Sequence, residues 1–461
     1  MNLRRTTLLA APPSLASALV LGSYVQTAGH PLEMVRPLAV ATVAALSVTL
    51  IGWALVRQLL LAVWIGVVLV SWILGRELAL LSVGIGLGII AVQLYRRWRN
   101  LAPVSVSTAF VIGPPVALLG VAIYQLVAGG IVSLDDFPPD GPPRAATALE
   151  GTLPSMYVLL LDGYPRADEL QTAFGYDNGR FIEELDDLGF QIHAEATSAF
   201  GGTSWTLAST MLEDAAELHP YADIDSTPDL WATLRALRRQ YLVNVPMMDR
   251  LRGAGYRLEY VAPGVDLSEW RGWDRTHDSG QLTDTEALLI QRSPLKQILG
   301  DWLMDQLRSR IGASLRTWAE TSEDPRQKVS FAHIMSPHMP FLWGSEGREL
   351  PPGNCWYARR CSLFTVLTEE LEMSHDEYGE HLGWQLEAIN QRVLGPVRRI
   401  VAADPSAIVV IMSDHGARFE PRSPERFHTF LATRIPHDPN LLTSEPGPDT
   451  LFVRLLGSLT Q

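Results

Sequence analysis

The chain has 461 residues, more than one ordinary domain usually holds, so two or three structural units are expected. Its apolar content of 47% averages two unlike parts, because nearly all long apolar runs precede about residue 128 and most acidic residues follow it. The formal net charge of −13 argues against a nucleic-acid-binding protein, which needs a basic face.

The first part of the chain carries five apolar segments, each near the 17–25 residues that a helix needs to cross a membrane. They cover residues 8–25, 37–56, 59–74, 78–95 and 104–127. Residues 1–130 are therefore predicted to form a transmembrane anchor of about five helices. No charged residue lies deep in a segment, which argues against an ion path through the bundle.

Basic residues set the predicted orientation, because cytoplasmic loops are enriched in them. When the five segments alternate, one side of the membrane receives Arg4, Arg5, Arg57, Arg96, Arg97 and Arg99. That side is predicted to be the cytoplasm, so the chain after the fifth segment is expected outside the plasma (inner) membrane. The first segment is interpreted either as an uncleaved anchor or as a signal peptide ending near Ala28, and both give this orientation.

Residues 131–154 are rich in proline and are predicted to form a semi-rigid extracytoplasmic linker. Farther along, the two cysteines, Cys355 and Cys361, lie six residues apart in a polar stretch. Outside the cytoplasm a disulfide between them is the favoured prediction, and two free thiols are the alternative.

Residues 155–461 are predicted to form an α/β domain with a mostly parallel sheet covered by helices on both faces. Residues 156–161 are a continuous apolar run bounded by proline and glycine, typical of a strand buried on both faces. Further strands are expected at 257–261, 329–335 and 407–412, with a helix around 381–402. The stretch 262–328 lacks a regular pattern and is predicted to be an insertion or lid.

Three of these predicted strands end in residues that can bind a metal. Asp162 follows the first strand, His338 follows the strand at 329–335, and Asp414 and His415 follow the strand at 407–412. The carboxyl ends of parallel strands share one edge of a sheet, which is where α/β proteins bind ligands. Carboxylates and imidazoles suit Mg, Mn or Zn. Each residue alone could be a turn former or a solvated side chain, so the prediction rests on their combination.

A fourth element is Gly201-Gly202-Thr203, followed by apolar residues at helical spacing. Thr203 is expected at a helix N-terminus, where free N–H groups and the helix dipole favour an anion. A hydroxyl there that also binds a metal is an activated nucleophile. The alternative is an ordinary N-cap threonine without a chemical role.

Six segments in a fixed order carry a family resemblance. They are YVLLLDGY at 157–164, NGRFIEELDDLGF at 178–190, residues 202–211, FAHIMSPHMPF at 331–341, SDHG at 413–416 and ERFHTFLATRIP at 425–436. The set resembles the membrane-anchored sulfatase-like branch of the alkaline phosphatase superfamily, which includes lipoteichoic acid synthases and lipid A phosphoethanolamine transferases. With gaps, the resemblance covers residues 155–436.

The resemblance implies roles for individual residues. Asp162, Asp414 and His415 are expected to bind the catalytic metal together with Thr203. Thr203 is also the expected nucleophile, with Ser204 and Thr206 as rivals. The histidines His338 and His428 are expected to contact substrate or a second metal, although His428 falls where the family varies.

The sequence departs from one family motif, and this departure excludes one class of sulfatase. Formylglycine-dependent sulfatases need Cys or Ser followed by x-Pro-x-Arg, and the stretch from Cys355 to Arg359 lacks the proline. The segment around Thr203 lacks that pattern altogether. An arylsulfatase that depends on formylglycine is therefore not expected.

The function expected from these features is metal-dependent transfer or hydrolysis at a phosphate or sulfate ester of the cell envelope, through a covalent threonine. The divalent ion, Mn, Mg, Zn or Ca, is left open, and so are transfer against hydrolysis and phosphate against sulfate. The expected partner is a membrane lipid or an envelope glycan, with no nucleic acid. The alternatives are a sulfuric ester hydrolase and an inactive envelope protein that keeps the fold.

Overall fold

The computed structural model of the protein describes part of the chain. The described residues are 11–27, 37–43, 45–47, 98–99, 153–221, 233, 236–237, 239–243, 245–264, 270–277, 282, 286, 290, 296–351, 373–419, 424–443 and 446–459. Most of the predicted membrane segments, the predicted linker up to residue 152, and the pair Cys355 and Cys361 lie outside these residues.

The chain divides into two compact units. One contains residues 1–134 and 282–300, and the other contains residues 135–281 and 301–461. The first unit includes helix α1 (Ala11–Thr27), whose Leu15 and Ala16 pack against Ala45. None of the helices in the described residues combines the length and the apolarity that a membrane crossing requires. The five-helix anchor thus stays a prediction.

The remaining elements carry a seven-stranded sheet. In chain order they are β1 (Met156–Leu161), α2 (Ala167–Phe174), α3 (Gly179–Asp186), β2 (Gln191–Ile192), α4 (Thr203–Thr210), α5 (Pro246–Gly253), β3 (Arg257–Val261), β4 (Arg275–His277), α6 (Lys296–Glu320), β5 (Lys328–Ile334), α7 (His375–Ala403), β6 (Ile408–Met412), β7 (Leu431–Arg434) and α8 (Leu451–Leu459). The strand order is β2-β7-β6-β1-β5-β3-β4.

The sheet is mostly parallel, as predicted. Strand β1 pairs in parallel with β5 on one side and β6 on the other, and β3 is parallel to both β5 and β4. Only β7 runs against its neighbours β6 and β2 among the described strands. All six residues of β1 are buried, which is the pattern of a central strand covered on both faces.

Helix α7 covers one face of the sheet. Ser374 caps its first turn by accepting a hydrogen bond from the Glu377 N–H, the sequence pattern of a capping box. Buried residues recur along α7 at helical spacing: Leu382, Leu386, Ile389, Val393, Val397 and Ile400. They share one core cluster with Leu159 and Leu161 of β1 and with Trp318 of α6.

The opposite face is covered by aromatic residues and by α8. The ring of Phe331 in β5 lies 4.8 Å from that of Trp270 and 6.3 Å from that of Phe452 in α8. The ring of Tyr260 in β3 stacks on Trp273 at 5.3 Å. Helices therefore cover both faces, in agreement with the predicted α/β class.

The stretch 262–328 is more regular than its sequence pattern predicted. It contributes the edge strand β4 and the 25-residue helix α6. Helix α6 places Met304, Ile311, Leu315 and Trp318 in the core cluster. The amphipathic pattern of α6 is weak, so the sequence does not predict this helix. Whether the stretch acts as a lid stays a prediction.

Helix α4, which begins at Thr203, is fixed by Asp449 from the chain segment before α8. The Asp449 carboxylate accepts hydrogen bonds from the Ala199 N–H at 2.7 Å and from the Ser209 hydroxyl, on either side of Thr203 along the chain. The Thr450 N–H donates to the Ser209 carbonyl at 2.8 Å. Burial raises the pKa of Asp449, against the hydrogen bonds from Ser209 and Ala199.

Stability should therefore depend on pH through Asp449. A carboxyl whose pKa is raised on folding binds more protons in the folded state, so its contribution is lost as pH rises above about 3.9, its unfolded pKa. Asp449→Asn keeps an acceptor for Ala199 but does not ionise. As pH rises through the raised pKa of Asp449, we expect the thermal unfolding midpoint of Asp449→Asn to increase relative to that of the wild type. The exposed Asp186→Asn is the control, and a difference that is flat with pH would contradict the assignment.

Candidate active site

Three strand ends meet at one edge of the sheet. In the parallel register Leu160 is opposite Met412, so Asp162 and Asp414, each two residues farther on, end adjacent strands. On the other side Leu161 is opposite Ile334, four residues before His338. Ligand atoms of Asp162, His338 and His415 all lie within 4.8 Å of one another. Residues more than 250 positions apart in the chain thus form one cluster.

One oxygen of Asp414 is held and the other is left open. Asp414 is fully buried, and its Oδ1 accepts a hydrogen bond from the Gly163 N–H at 2.9 Å. Its Oδ2 has no hydrogen-bond partner in the structure. The neighbouring Ser413 hydroxyl accepts from the Tyr164 N–H at 2.8 Å and donates to the His415 carbonyl at 2.7 Å. These bonds join the ends of β1 and β6 and aim Oδ2 toward His415.

The two site histidines have one ring nitrogen occupied and one available. His415 Nδ1 lies 2.8 Å from the Gly416 carbonyl, and His338 Nδ1 lies 2.6 Å from the Met339 carbonyl. A carbonyl only accepts, so each Nδ1 carries a proton and each Nε2 is the ring nitrogen that is left for another partner. Burial lowers the pKa of His338, which favours the neutral ring against the attraction of Asp162. Histidines that bind metals are oriented by such bonds.

Three buried atoms converge without a hydrogen-bond partner. They are Asp162 Oδ1, Asp414 Oδ2 and His415 Nε2. His415 Nε2 lies 3.5 Å from each of the two oxygens. Two ligands that are each about 2.1 Å from one tetrahedrally bound ion lie about 3.4 Å apart. The ligand atoms that lie within 4.8 Å of one another, those of Asp162, His338 and His415, suit a divalent cation, and Asp414 brings a second carboxylate oxygen to 3.5 Å from His415 Nε2.

His333 is a site residue that the sequence analysis missed. It is fully buried inside β5, and its Nε2 lies 3.0 Å from Asp162 Oδ2, the oxygen that does not face His415. Burial alone would raise the pKa of Asp162. The neighbouring imidazoles of His338, His333 and His415 outweigh it and hold that pKa well below its usual range. Asp162 is therefore ionised at neutral pH, as a metal ligand must be.

Thr203 lies beside the cluster, at the first residue of α4. Its hydroxyl is 3.5 Å from Asp162 Oδ2 and is partly exposed. The rival Thr206 is fully buried and donates to the Asp414 carbonyl at 2.8 Å, so its hydroxyl fastens α4 to the end of β6. Ser204 is also buried. Of the three hydroxyls, that of Thr203 is the partly exposed one beside Asp162, and its role as the nucleophile stays a prediction.

Two glycines allow these loops to approach each other. Gly163 has φ +70°, and a Cβ there would lie 3.2 Å from His415 Cε1. A Cβ on Gly416 would lie 2.2 Å from the Glu425 carbonyl and 2.6 Å from the His428 carbonyl. Neither position tolerates a side chain while the ligands keep their places.

His428 stands apart from the other predicted site residues. Its Nδ1 forms a hydrogen bond with the Glu169 carboxylate of α2, and its side chain is 29% exposed. Within the described residues, the group of mutually close metal-binding side chains contains Asp162, His338 and His415 but neither His428 nor Asp414, although Asp414 Oδ2 lies 3.5 Å from His415 Nε2. Its predicted contact with substrate or a second metal stays a prediction.

Several solved structures are similar to this chain at low sequence identity. The integral membrane lipooligosaccharide phosphoethanolamine transferase A of Neisseria meningitidis is 13% identical, with a TM-score of 0.43, over 95% of this chain and 76% of that one. The zinc complex of the periplasmic domain of EptC from Escherichia coli is 15% identical, with a TM-score of 0.37, over 69% and 86%. The lipoteichoic acid synthase LtaP of Listeria monocytogenes is 12% identical, with a TM-score of 0.35, over 66% and 72%.

No family model matches the sequence. No curated protein matches it either. The structures matched include phosphoethanolamine transferases, a lipoteichoic acid synthase and a sulfatase. Structural similarity of this degree does not carry an activity, which has to be argued from the site itself.

The ligand assignment makes a direct prediction. Asp414→Ala removes one of two carboxylates, so we expect metal content after dialysis to fall from near one ion per chain to a small fraction. A chelator should lower the unfolding midpoint of the wild type, because the ion binds the folded state, and should barely change that of the variant. The exposed Asp186→Ala should behave as the wild type. Full metal content in Asp414→Ala would place the ion elsewhere.

Proposed function

We propose that the protein is a metal-dependent enzyme that transfers or hydrolyses the phosphoryl group of a phosphate ester at the outer side of the membrane, through a covalent bond to Thr203. One observation carries the proposal. The three unpartnered ligand atoms of Asp162, Asp414 and His415 converge beside the Thr203 hydroxyl, which lies 3.5 Å from Asp162. An inactive relative would have no reason to keep such atoms buried and unpaired.

Asp162, Asp414 and His415 would hold the ion, with Thr203 beside them. When bound, a divalent ion at such a site lowers the pKa of an adjacent hydroxyl and offsets negative charge on the ester oxygens. The chain supplies the rest. The N-terminus of α4, the positive end of the helix dipole, lies at Thr203 and would favour an anion there, and His338 lies in the same cluster.

The reaction has two displacements. In the first, Thr203 Oγ1 forms a bond to phosphorus while the bond from phosphorus to the departing alcohol breaks. One proton leaves the threonine and one is taken up by the departing oxygen. In the second, an acceptor hydroxyl or water attacks the phospho-threonine, and the threonine oxygen recovers a proton. Transfer and hydrolysis differ only in this acceptor.

The substrate is proposed to be a membrane lipid or an envelope glycan. The apolar segments before residue 128 and the arginine distribution support a membrane anchor with the α/β unit outside. An anchored enzyme meets substrates that are confined to the membrane surface. A panel of phosphate monoesters, phosphodiesters and sulfate esters, assayed with the full chain in detergent, identifies the ester class.

Thr203→Ala should keep its metal and its fold but lose turnover by at least about 10³-fold, because a nucleophile accounts for most catalysis beyond binding and electrostatics. Thr203→Ser keeps a hydroxyl and should retain measurable activity. Mass spectrometry of enzyme trapped with substrate should find the added phosphoryl group on Thr203. A modification on Ser204 would move the nucleophile by one residue, and a fully active Thr203→Ala would refute the covalent route.

The proposed location is tested by a reporter at the C-terminus. A fluorescent protein that matures only in the cytoplasm, fused after Gln461, should stay dark, whereas a phosphatase active only outside should be active at the same position. The same reporters fused after Arg57 should give the opposite result, because that loop is predicted to be cytoplasmic. A bright fluorescent fusion at Gln461 would reverse the proposed orientation.

A further inference from the structure

Arg418 follows the Ser413–Gly416 motif by two residues and reaches the loop that carries Thr203. One of its guanidinium N–H groups donates to the Gly201 carbonyl. The first hydrogen bond of α4 uses the next carbonyl, that of Gly202, so the Gly201 carbonyl lies outside the helix and is open to Arg418. This bond places the guanidinium next to the turn from which Thr203 projects.

The neighbours of Arg418 fix the direction of its side chain. The ring of Phe419 packs on α7, at 5.3 Å from Tyr378 and 5.2 Å from His375. Ala417 is buried on the preceding side. The bond to the Gly201 carbonyl carries the Arg418 side chain to the loop before α4, within the influence of the charges of Asp414 and Asp162.

The charge of Arg418 is not paired with a carboxylate. Burial lowers the pKa of its guanidinium, and the negative charges of Asp414 and Asp162 oppose this effect. Yet among the residues that the structure describes, no carboxylate oxygen forms an ion pair with Arg418 within 4.0 Å. Other arginines of this unit are paired, such as Arg252 with Asp274 at 2.7 Å. Arg418 thus keeps guanidinium N–H groups available after its single bond to Gly201.

A cation is needed at this point. The carboxylates of Asp162 and Asp414 already balance the charge of a divalent ion. A phosphate ester brings at least one further negative charge, which spreads over its non-bridging oxygens during transfer. Arginine suits those oxygens because its planar fork donates two parallel hydrogen bonds and stays charged when buried.

We propose that Arg418 is a further catalytic residue, which binds a non-bridging oxygen of the transferred group while its other N–H tethers the Thr203 loop. This inference rests on the proposed function. It adds a ligand contact that neither the motifs nor the metal ligands provide, since Arg418 neither binds the metal nor supplies the nucleophile.

The test measures anion binding apart from turnover. Full-length Arg418→Gln and Arg418→Lys, loaded with metal, are titrated with inorganic phosphate and with orthovanadate by calorimetry. Metal content and unfolding midpoint are measured on the same samples. Arg418→Gln should keep its metal and bind both anions about 10- to 100-fold more weakly, because a charge-assisted hydrogen bond is lost. On the ester that the panel identifies, kcat/KM should fall by a similar or larger factor.

Arg418→Lys separates binding from a structural tether. Lysine keeps a positive charge and one donor for Gly201 but cannot present two parallel N–H groups. Its unfolding midpoint should match the wild type while its anion affinity stays clearly below it. The control Arg398→Gln removes an exposed arginine that is paired with Glu184, and it should leave both quantities unchanged.

Several outcomes overturn the inference. They are wild-type anion affinity in Arg418→Gln, wild-type anion affinity in Arg418→Lys, and a metal-loaded wild type that binds neither anion. In the first two cases metal-dependent turnover of the wild type leaves the proposed function standing. Conversely, if no ester of the panel is turned over but phosphate binds and depends on Arg418, the proposed reaction fails and the anion site remains.

Discussion

The parallel pairing of β1 with both β5 and β6 is the constraint on which the rest of the site depends. Their register sets Asp162 and Asp414 at the ends of adjacent strands, so two buried acidic residues come to the same edge of the sheet. Buried carboxylates are costly without a partner, and a cation at this edge would offset that cost. Three other features complete the edge: the imidazole of His415, a glycine at 163 that lets the loops approach, and the start of α4 at Thr203.

Much of this edge can be read from the sequence, because its residues follow strands whose apolar runs are unmistakable. Asp162 ends a six-residue run in which every side chain is buried, and Asp414 follows another run of the same kind. His333 was missed because it lies within such a run, where a single polar residue looks like a tolerated exception. Its partner Asp162 is 171 residues away in the chain, and no local spacing reports that contact.

Arg418 and α6 were missed for different reasons. Arg418 lies beyond the Ser413–Gly416 motif, and arginines on loops are usually solvated. Only its contact with the carbonyl of Gly201, 217 residues away in the chain, points to a role in the site. Helix α6 has little amphipathic contrast, since its buried residues are spread among polar and charged ones, and only packing against the sheet reveals them. Hydrophobic periodicity identifies a helix or strand when one of its faces is clearly apolar. It fails when tertiary packing, and not the sequence pattern, determines which residues are buried.

The way the ligands are held explains how a site can be built from so few side chains. Asp414, His415 and His338 are each oriented by a main-chain group of the same strand ends: Gly163 N–H, Gly416 carbonyl and Met339 carbonyl. These partners are main-chain groups, so the orientation of the three side chains depends mainly on the backbone conformation of the loops. Asp162 is the exception, because a side chain, His333, engages its second oxygen. Main-chain orientation is insensitive to substitution, whereas this one bond depends on the identity of a residue in the neighbouring strand. Replacing His333 would therefore change the hydrogen bonding of Asp162, a predicted ligand, while the main-chain contacts of the other three residues stay in place.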